Sequence, residues 1–257
     1  MNETLRLKSV TGHLLDNQLS WPKTKKLPVP LVILCHGFLA HSRTLFFPAL
    51  RRLLISRGYA VFRYDQAGHG LSPGRKSDVT LPRNVKDLRA LINLLEKDSR
   101  LDLSHLAVIG HSLGGITALM AGEVEPRIKR IVAIGSALNF ENVVRRLMNK
   151  GQMFERDGAV YFRPFKVLPG QRCEKTLWPY AKKFRFDERV KKIKAAVLLI
   201  AGGKDKTIPA ELARETYNHL AGPKKLVLIK NSNHLFIMPG VQRKMFSEII
   251  LWLRRKK

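Results

Sequence analysis

Six short apolar runs recur along the chain, each bounded by turn residues: 31–35 (LVILC), 59–65 (YAVFRYD), 106–110 (LAVIG), 131–135 (IVAIG), 196–202 (AVLLIAG) and 225–230 (KLVLIK). Their brevity and β-branched content predict strands buried on both faces. Stretches of helical period lie between them. Residues 45–58 end in Gly58, suited to a helix C-cap. Residues 85–98 place Val85, Leu88, Leu91, Ile92 and Leu95 on one face, and 212–220 and 243–255 repeat the pattern. Strands alternating with helices predict βαβ crossovers and an α/β protein with a mostly parallel sheet. The N-terminal stretch TLRLKSVTGHLLDNQLSWP reads instead as an antiparallel edge ribbon turning at VTGH.

Residues 139–194 break this rhythm, because they separate two apolar runs by far more than an ordinary connection. Inside them Asp157-Gly158 stands between two alternating segments, a β-hairpin signal. The segment is rich in aromatics (Phe154, Tyr161, Phe162, Phe165, Trp178, Tyr180, Phe184, Phe186), which argues against a disordered loop. The expectation is a core made of 1–138 and 195–257, with 139–194 inserted as a cap over one end of the sheet.

Composition narrows the setting. At 257 residues the chain suits one large domain, and no run of eighteen apolar residues predicts a transmembrane helix. The first fifteen residues lack the apolar stretch of a secretory signal. Cys35 and Cys173 offer no disulfide framework, and Cys35 reads as a buried free thiol, so a cytoplasmic setting is expected. The formal charge of +27 draws anionic partners and leaves an anionic membrane surface open. No basic motif interleaved with aromatics appears, which disfavours specific nucleic-acid binding.

The candidate chemistry starts at residues 109–115, IGHSLGG. Ser112 falls where an apolar run ends and a helix should begin, flanked by Gly110 and Gly114. A nucleophile elbow needs this sharp strand-to-helix turn, which exposes the hydroxyl and leaves room for close backbone packing. The bland alternative is a glycine-rich helix start with an N-cap serine. A serine needs a base, and the base an orienting acid. Asp205 follows the run 196–202 and His234 follows 225–230, so three strand ends deliver Ser, Asp and His in turn. Glu141 and Asp187 remain alternative acids, although neither follows a strand so directly. His69 and His111 read as neighbours of the site rather than its base. The N–H groups of Phe38, in a His-Gly turn after the first strong strand, and of Leu113 are candidate oxyanion donors. DQAGHGLS, 65–72, reads as a tight structural turn.

The set HGF (36–38), DQAGHGLS (65–72), GHSLGG (110–115), GGKDKTIP (202–209) and NSNH (231–234) resembles the α/β-hydrolase superfamily. It is most similar there to the serine-hydrolase branch of cinnamoyl (feruloyl) esterases and monoacylglycerol lipases. The resemblance spans about residue 25 to 252. It implies an α/β-hydrolase fold, a mostly parallel central sheet with helices on both faces and an inserted cap. It also implies a Ser112–Asp205–His234 triad, with the Phe38 and Leu113 amides as oxyanion hole. A serine in the elbow excludes the relatives that use an aspartate there.

No GxGxxG, P-loop or clustered Cys/His spacing is present, so neither cofactor nor metal is expected. Residues 139–194 hold fifteen Lys/Arg against six acids, unsuited to a substrate α-ammonium. The expected function is a carboxylic-ester hydrolase for small to medium acyl esters, with a small-molecule ester as partner. An acyl thioesterase and a non-catalytic receptor or scaffold on the same fold are the alternatives.

Overall fold

The computed structural model describes residues 1–24, 26–76, 79–157, 159–163, 170–172, 183–184 and 186–255. Cys173, Phe165, Trp178, Tyr180 and the side chain of Asp187 lie outside the described residues. Eight strands form one sheet: β1 (Asn2–Glu3), β2 (Asn17–Ser20), β3 (Val29–Cys35), β4 (Ala60–Tyr64), β5 (Leu101–His111), β6 (Arg130–Ile134), β10 (Ala196–Gly202) and β11 (Lys224–Ile229). Their spatial order is β1-β2-β4-β3-β5-β6-β10-β11. From β4 to β11 every neighbouring pair is parallel, whereas β1 and β2 join antiparallel. The edge ribbon turns at Gly12, whose φ of 83° is left-handed, with Lys8 bridged to Leu14.

Helices cover both faces. On β3, Leu31, Ile33 and Cys35 point into one apolar layer and Val32 and Leu34 into the other, the period-2 alternation of a strand buried twice. The first layer takes in α2 (Leu81–Leu95) through Leu88, Leu91 and Ile92, and α3 (Leu113–Val124) through Ile116 and Leu119. The second takes in α1 (Phe47–Ser56) through Phe47, Leu50 and Leu54, and α7 (Pro239–Arg254) through Met245 and Ile249. Gly58 closes α1 with a φ of 89°, and Thr80 caps α2 by accepting from the Arg83 N–H. This is the architecture of an α/β hydrolase.

Strand β5 and part of the insertion extend beyond the sequence reading, while the insertion's hairpin at Asp157 matches it. Strand β5 begins at Leu101, five residues before the apolar run, because residues 101–102 pair with Val29 and Pro30 across a register shift. Between β6 and β10 the chain leaves the sheet as α4 (Phe140–Asn149), the hairpin β7 (Met153–Arg156) and β8 (Ala159–Phe162), a short β9 (Gln171–Arg172) and α5 (Phe186–Val190). Arg156 pairs with Ala159, so the hairpin connection has two residues and begins at Asp157, whose φ is 49°. Helix α6 (Ala210–His219) then connects β10 to β11.

Candidate active site

Register brings the site together. His111 on β5 pairs with Ile134 on β6, Ile134 with Ile200 on β10, and Gly202 with Ile229 on β11. The loops carrying Ser112, Asp205 and His234 therefore leave the same edge, at the carboxyl ends of the parallel strands, where ligands bind in open α/β sheets.

Ser112 joins β5 to α3 with φ 51° and ψ −119°, a conformation that costs a non-glycine residue about 1–3 kcal/mol. The neighbouring glycines make it attainable. A Cβ on Gly114 would lie 2.2 Å from the Cys35 carbonyl oxygen, and one on Gly110 2.2 Å from that of Gly114. Three backbone hydrogen bonds pin the turn: Ser112 N–H donates to Ile134 O (2.9 Å), while Ser112 O accepts from Gly115 N–H (2.9 Å) and Ile116 N–H (3.0 Å). The Ser136 hydroxyl donates to Ser112 O at 2.8 Å. The Ser112 side chain makes no capping bond to its helix, so the N-cap alternative does not hold.

Its hydroxyl faces His234 instead. Ser112 Oγ lies 3.0 Å from His234 Nε2, and His234 Nδ1 lies 2.7 Å from Asp205 Oδ2. The other oxygen, Asp205 Oδ1, accepts from the N–H groups of Thr207 (2.8 Å) and Ile208 (2.9 Å). The carboxylate is wholly buried, while the His234 ring keeps about a sixth of its surface open. Gly135, with a φ of 54°, passes close beneath: a Cβ there would meet His234 Nδ1 at 3.4 Å and Phe236 at 3.1 Å. Glu141, the alternative acid on α4, pairs with Arg145.

The remaining histidines serve other contacts. His111 Nε2 donates to His234 O at 2.7 Å, and complete burial lowers its imidazole to about 3. His36 accepts from Gln66 N–H at Nε2 (2.9 Å) and donates from Nδ1 to Gly37 O (2.8 Å); burial, then the neighbouring His69, lower it to about 4. Gln66 Nε2 also donates to His36 O at 2.6 Å, which fastens the turn 65–72 to the turn carrying Phe38. Burial likewise lowers His69. Within the turn, burial works to raise Asp65, but hydrogen bonds from Ser42 and Leu71 outweigh it and hold the carboxyl below its usual range.

Ser112 and His234 open into a cavity of about 670 Å³. Its walls are largely apolar: Val79, Leu81 and Ile116 from the core, and Val143, Val144, Leu147, Met153 and Phe162 from the insertion. Phe38 and Leu113 also line it, and the N–H of Leu113, as first residue of α3, has no intrahelical acceptor. Polar groups from Thr44, Gln152, Thr207 and Asn233 and the cations of Lys76, Lys204 and Lys206 also line it, with no Asp or Glu among the described lining residues. Sequence reasoning passed over these lysines; their only signal was that two of them flank Asp205. Among the described residues no group of three or more His, Cys, Asp or Glu could hold a metal ion, and no helix is long and apolar enough to cross a membrane.

Known proteins are similar to this chain in fold or in sequence to different extents. A ferulic-acid-bound Est1E from Butyrivibrio proteoclasticus superimposes with a TM-score of 0.81 at 23% identity, covering 98% of this chain and 100% of that one. The Pyrococcus furiosus esterase Pf2001 gives 0.76 at 20%, covering 99% and 92%. In sequence, an uncharacterised 31.7 kDa protein of Escherichia coli (traX-finO intergenic region) is 26% identical over 249 residues, covering 82% of this chain and 85% of that protein. The human acylamino-acid-releasing enzyme is also 26% identical, over 89% of this chain but only 32% of its own length. The family model Hydrolase_4, described as serine aminopeptidase, S33, matches residues 27–160, more than half of the chain. On that match, and with the fold and serine-bearing elbow already described, this chain belongs to that family of α/β-hydrolase serine hydrolases.

Proposed function

We propose that the chain is a carboxylic-ester hydrolase for small to medium acyl esters, with Ser112 as nucleophile, His234 as general base and acid, and Asp205 as its orienting partner. The observation that carries this reading is the continuous hydrogen-bonded chain from Ser112 Oγ through His234 to buried Asp205, opening into an apolar cavity. Asp205 accepts from Nδ1–H, which leaves the Nε2 lone pair to take the serine proton. Ser112 Oγ attacks the ester carbonyl carbon, and the N–H groups of Phe38 and Leu113 receive the developing oxyanion. Collapse of the tetrahedral intermediate expels the alcohol, which leaves with the proton held on His234. Water, deprotonated by the same imidazole, then releases the acid from the acyl-serine and restores the enzyme.

Residues 139–194 act in this reading as the cap that supplies an acyl-binding wall. The family's descriptive name suggests peptide substrates with a free α-ammonium, and ester hydrolysis is preferred because, among the described residues, three lysines and no carboxylate line the cavity. The test is hydrolysis of p-nitrophenyl butyrate by wild type and Ser112→Ala. Turnover should fall by about 10⁴-fold in the variant, with an unchanged urea midpoint and loss of the p-nitrophenol burst. Retention of more than about a tenth of wild-type activity would overturn the assignment.

A further inference from the structure

The cavity mouth carries a charge pattern that ester hydrolysis does not require. Lys204 and Lys206 flank Asp205 on the loop after β10, and Lys76 comes from the loop after β4. Among the described residues none of the three ammonium groups lies within ion-pairing distance of a carboxylate. More positive charge lies alongside. Lys150, at the end of α4, donates from Nζ to the Lys206 carbonyl at 2.7 Å. Desolvation first, then Arg146 and Lys206, hold Lys150 below its ordinary range. Lys76 stands near enough to His69 to help depress that imidazole, behind burial as the main cause. His69 packs edge-on against Phe38, 5.4 Å between ring centroids. The cations thus reach the cavity from both sides, the His234 side and the Phe38 side.

Among the described residues these exposed lysines have no acidic partner, so a bound anion gains attraction from each of them. The apolar walls ask for a hydrocarbon body, and the lysines ask for a negative group attached to it. We infer that the substrate is an amphiphilic ester: an apolar acyl chain that also carries an anionic group, a carboxylate or phosphate, bound by Lys76, Lys204 and Lys206. This deepens the ester-hydrolase reading and rests on it for turnover, but the recognition it describes is separate from the chemistry.

The experiment compares two p-nitrophenyl esters with an eight-carbon acyl chain, one ending in a carboxylate and one in a methyl group. The readout is the ratio of their kcat/KM values, at about 0.02 M and about 0.5 M salt, in wild type and in the triple variant Lys76→Gln, Lys204→Gln, Lys206→Gln. Wild type should favour the anionic ester by at least about tenfold at low salt, a preference that shrinks with salt and approaches unity in the triple variant. A ratio near unity in wild type, or a preference undiminished in the variant, overturns the inference. Binding of the matching non-hydrolysable amides, with and without the terminal carboxylate, is measured by calorimetry in parallel. Tighter binding of the carboxylate form supports the inference even if neither ester turns over, an outcome that would sink only the hydrolase reading. Equal binding of the two amides sinks the inference itself.

Discussion

At the scale of single residues, the two oxygens of Asp205 have different work. Oδ1 is committed to the N–H groups of Thr207 and Ile208, so the carboxylate cannot rotate, and Oδ2 alone meets His234. Asp205→Asn therefore has one favourable orientation, with its carbonyl oxygen on those two amides and its NH₂ toward Nδ1. The imidazole would then have to accept at Nδ1 and carry its proton on Nε2, where it cannot receive one from Ser112. The expected outcome is a loss of about 10⁴-fold in kcat with little change in thermal midpoint, because volume and backbone bonds are kept. Esterase assays and a melting curve on the same preparation check it; a fall of less than about a hundredfold would mean that Asp205 does not set the tautomer. The sequence made this site legible because each of the three residues follows an apolar run that becomes a strand. Other positions carried no such signal. Gly135 looks like the end of a strand, and nothing local marks it as the floor beneath His234 and Phe236. Gln66 and His36 are thirty residues apart and meet only because β3 and β4 pair.

Among the elements, periodicity served the buried parallel strands best and the insertion least. Val32 and Leu34 face one layer while Leu31, Ile33 and Cys35 face the other, a pattern that a hydropathy reading detects directly. Helix α4 carries little signal in the sequence because its apolar residues, Val143, Val144 and Leu147, are few and stand among Arg145, Arg146 and Asn142. They make sense only against the cavity they line. The N-cap was readable in principle: the Asn139 side chain accepts from the Asn142 N–H, and its Nδ2 donates to Glu215 on α6. If α4 forms one wall of the acyl pocket, filling that wall should shorten the chains accepted. Leu147→Trp should lower kcat/KM for the octanoyl ester by at least about tenfold relative to the butyryl ester, since each methylene without room costs roughly that much. A series of p-nitrophenyl esters from acetate to decanoate measures this. An unchanged chain-length profile would place the acyl chain elsewhere in the cavity.

Across the whole molecule, charge and burial set opposing responses to pH. The unfolded chain's histidines take up protons as pH falls through about 6.5, whereas buried His36 and His111 stay neutral down to about 4 and about 3 in the folded protein. Below about 6.5 the unfolded state therefore binds more protons, and stability, intact above that pH, drains away on acidification by up to about 1.4 kcal/mol per pH unit for each ring. Asp87 acts in the opposite sense. Burial raises its carboxyl to about 6, against a partial offset from the Val10 N–H that it accepts at 2.6 Å. Between its unfolded value and about 6 it is the folded state that binds the extra proton, so this group adds stability as pH falls through that window. The two rings outweigh the single carboxyl, and a net loss of about 1–3 kcal/mol is expected between pH 7 and pH 5. Asp87→Asn separates the contributions, because the Asn carbonyl can still accept from Val10 while nothing there titrates. The variant should be the more stable protein at pH 7, where wild type keeps a buried charge, and should lose stability more steeply between pH 7 and pH 5. Urea midpoints at several pH values give both slopes. A variant slope equal to that of wild type would show that Asp87 is already ionised in the folded protein at pH 5 and that its burial does not govern this window.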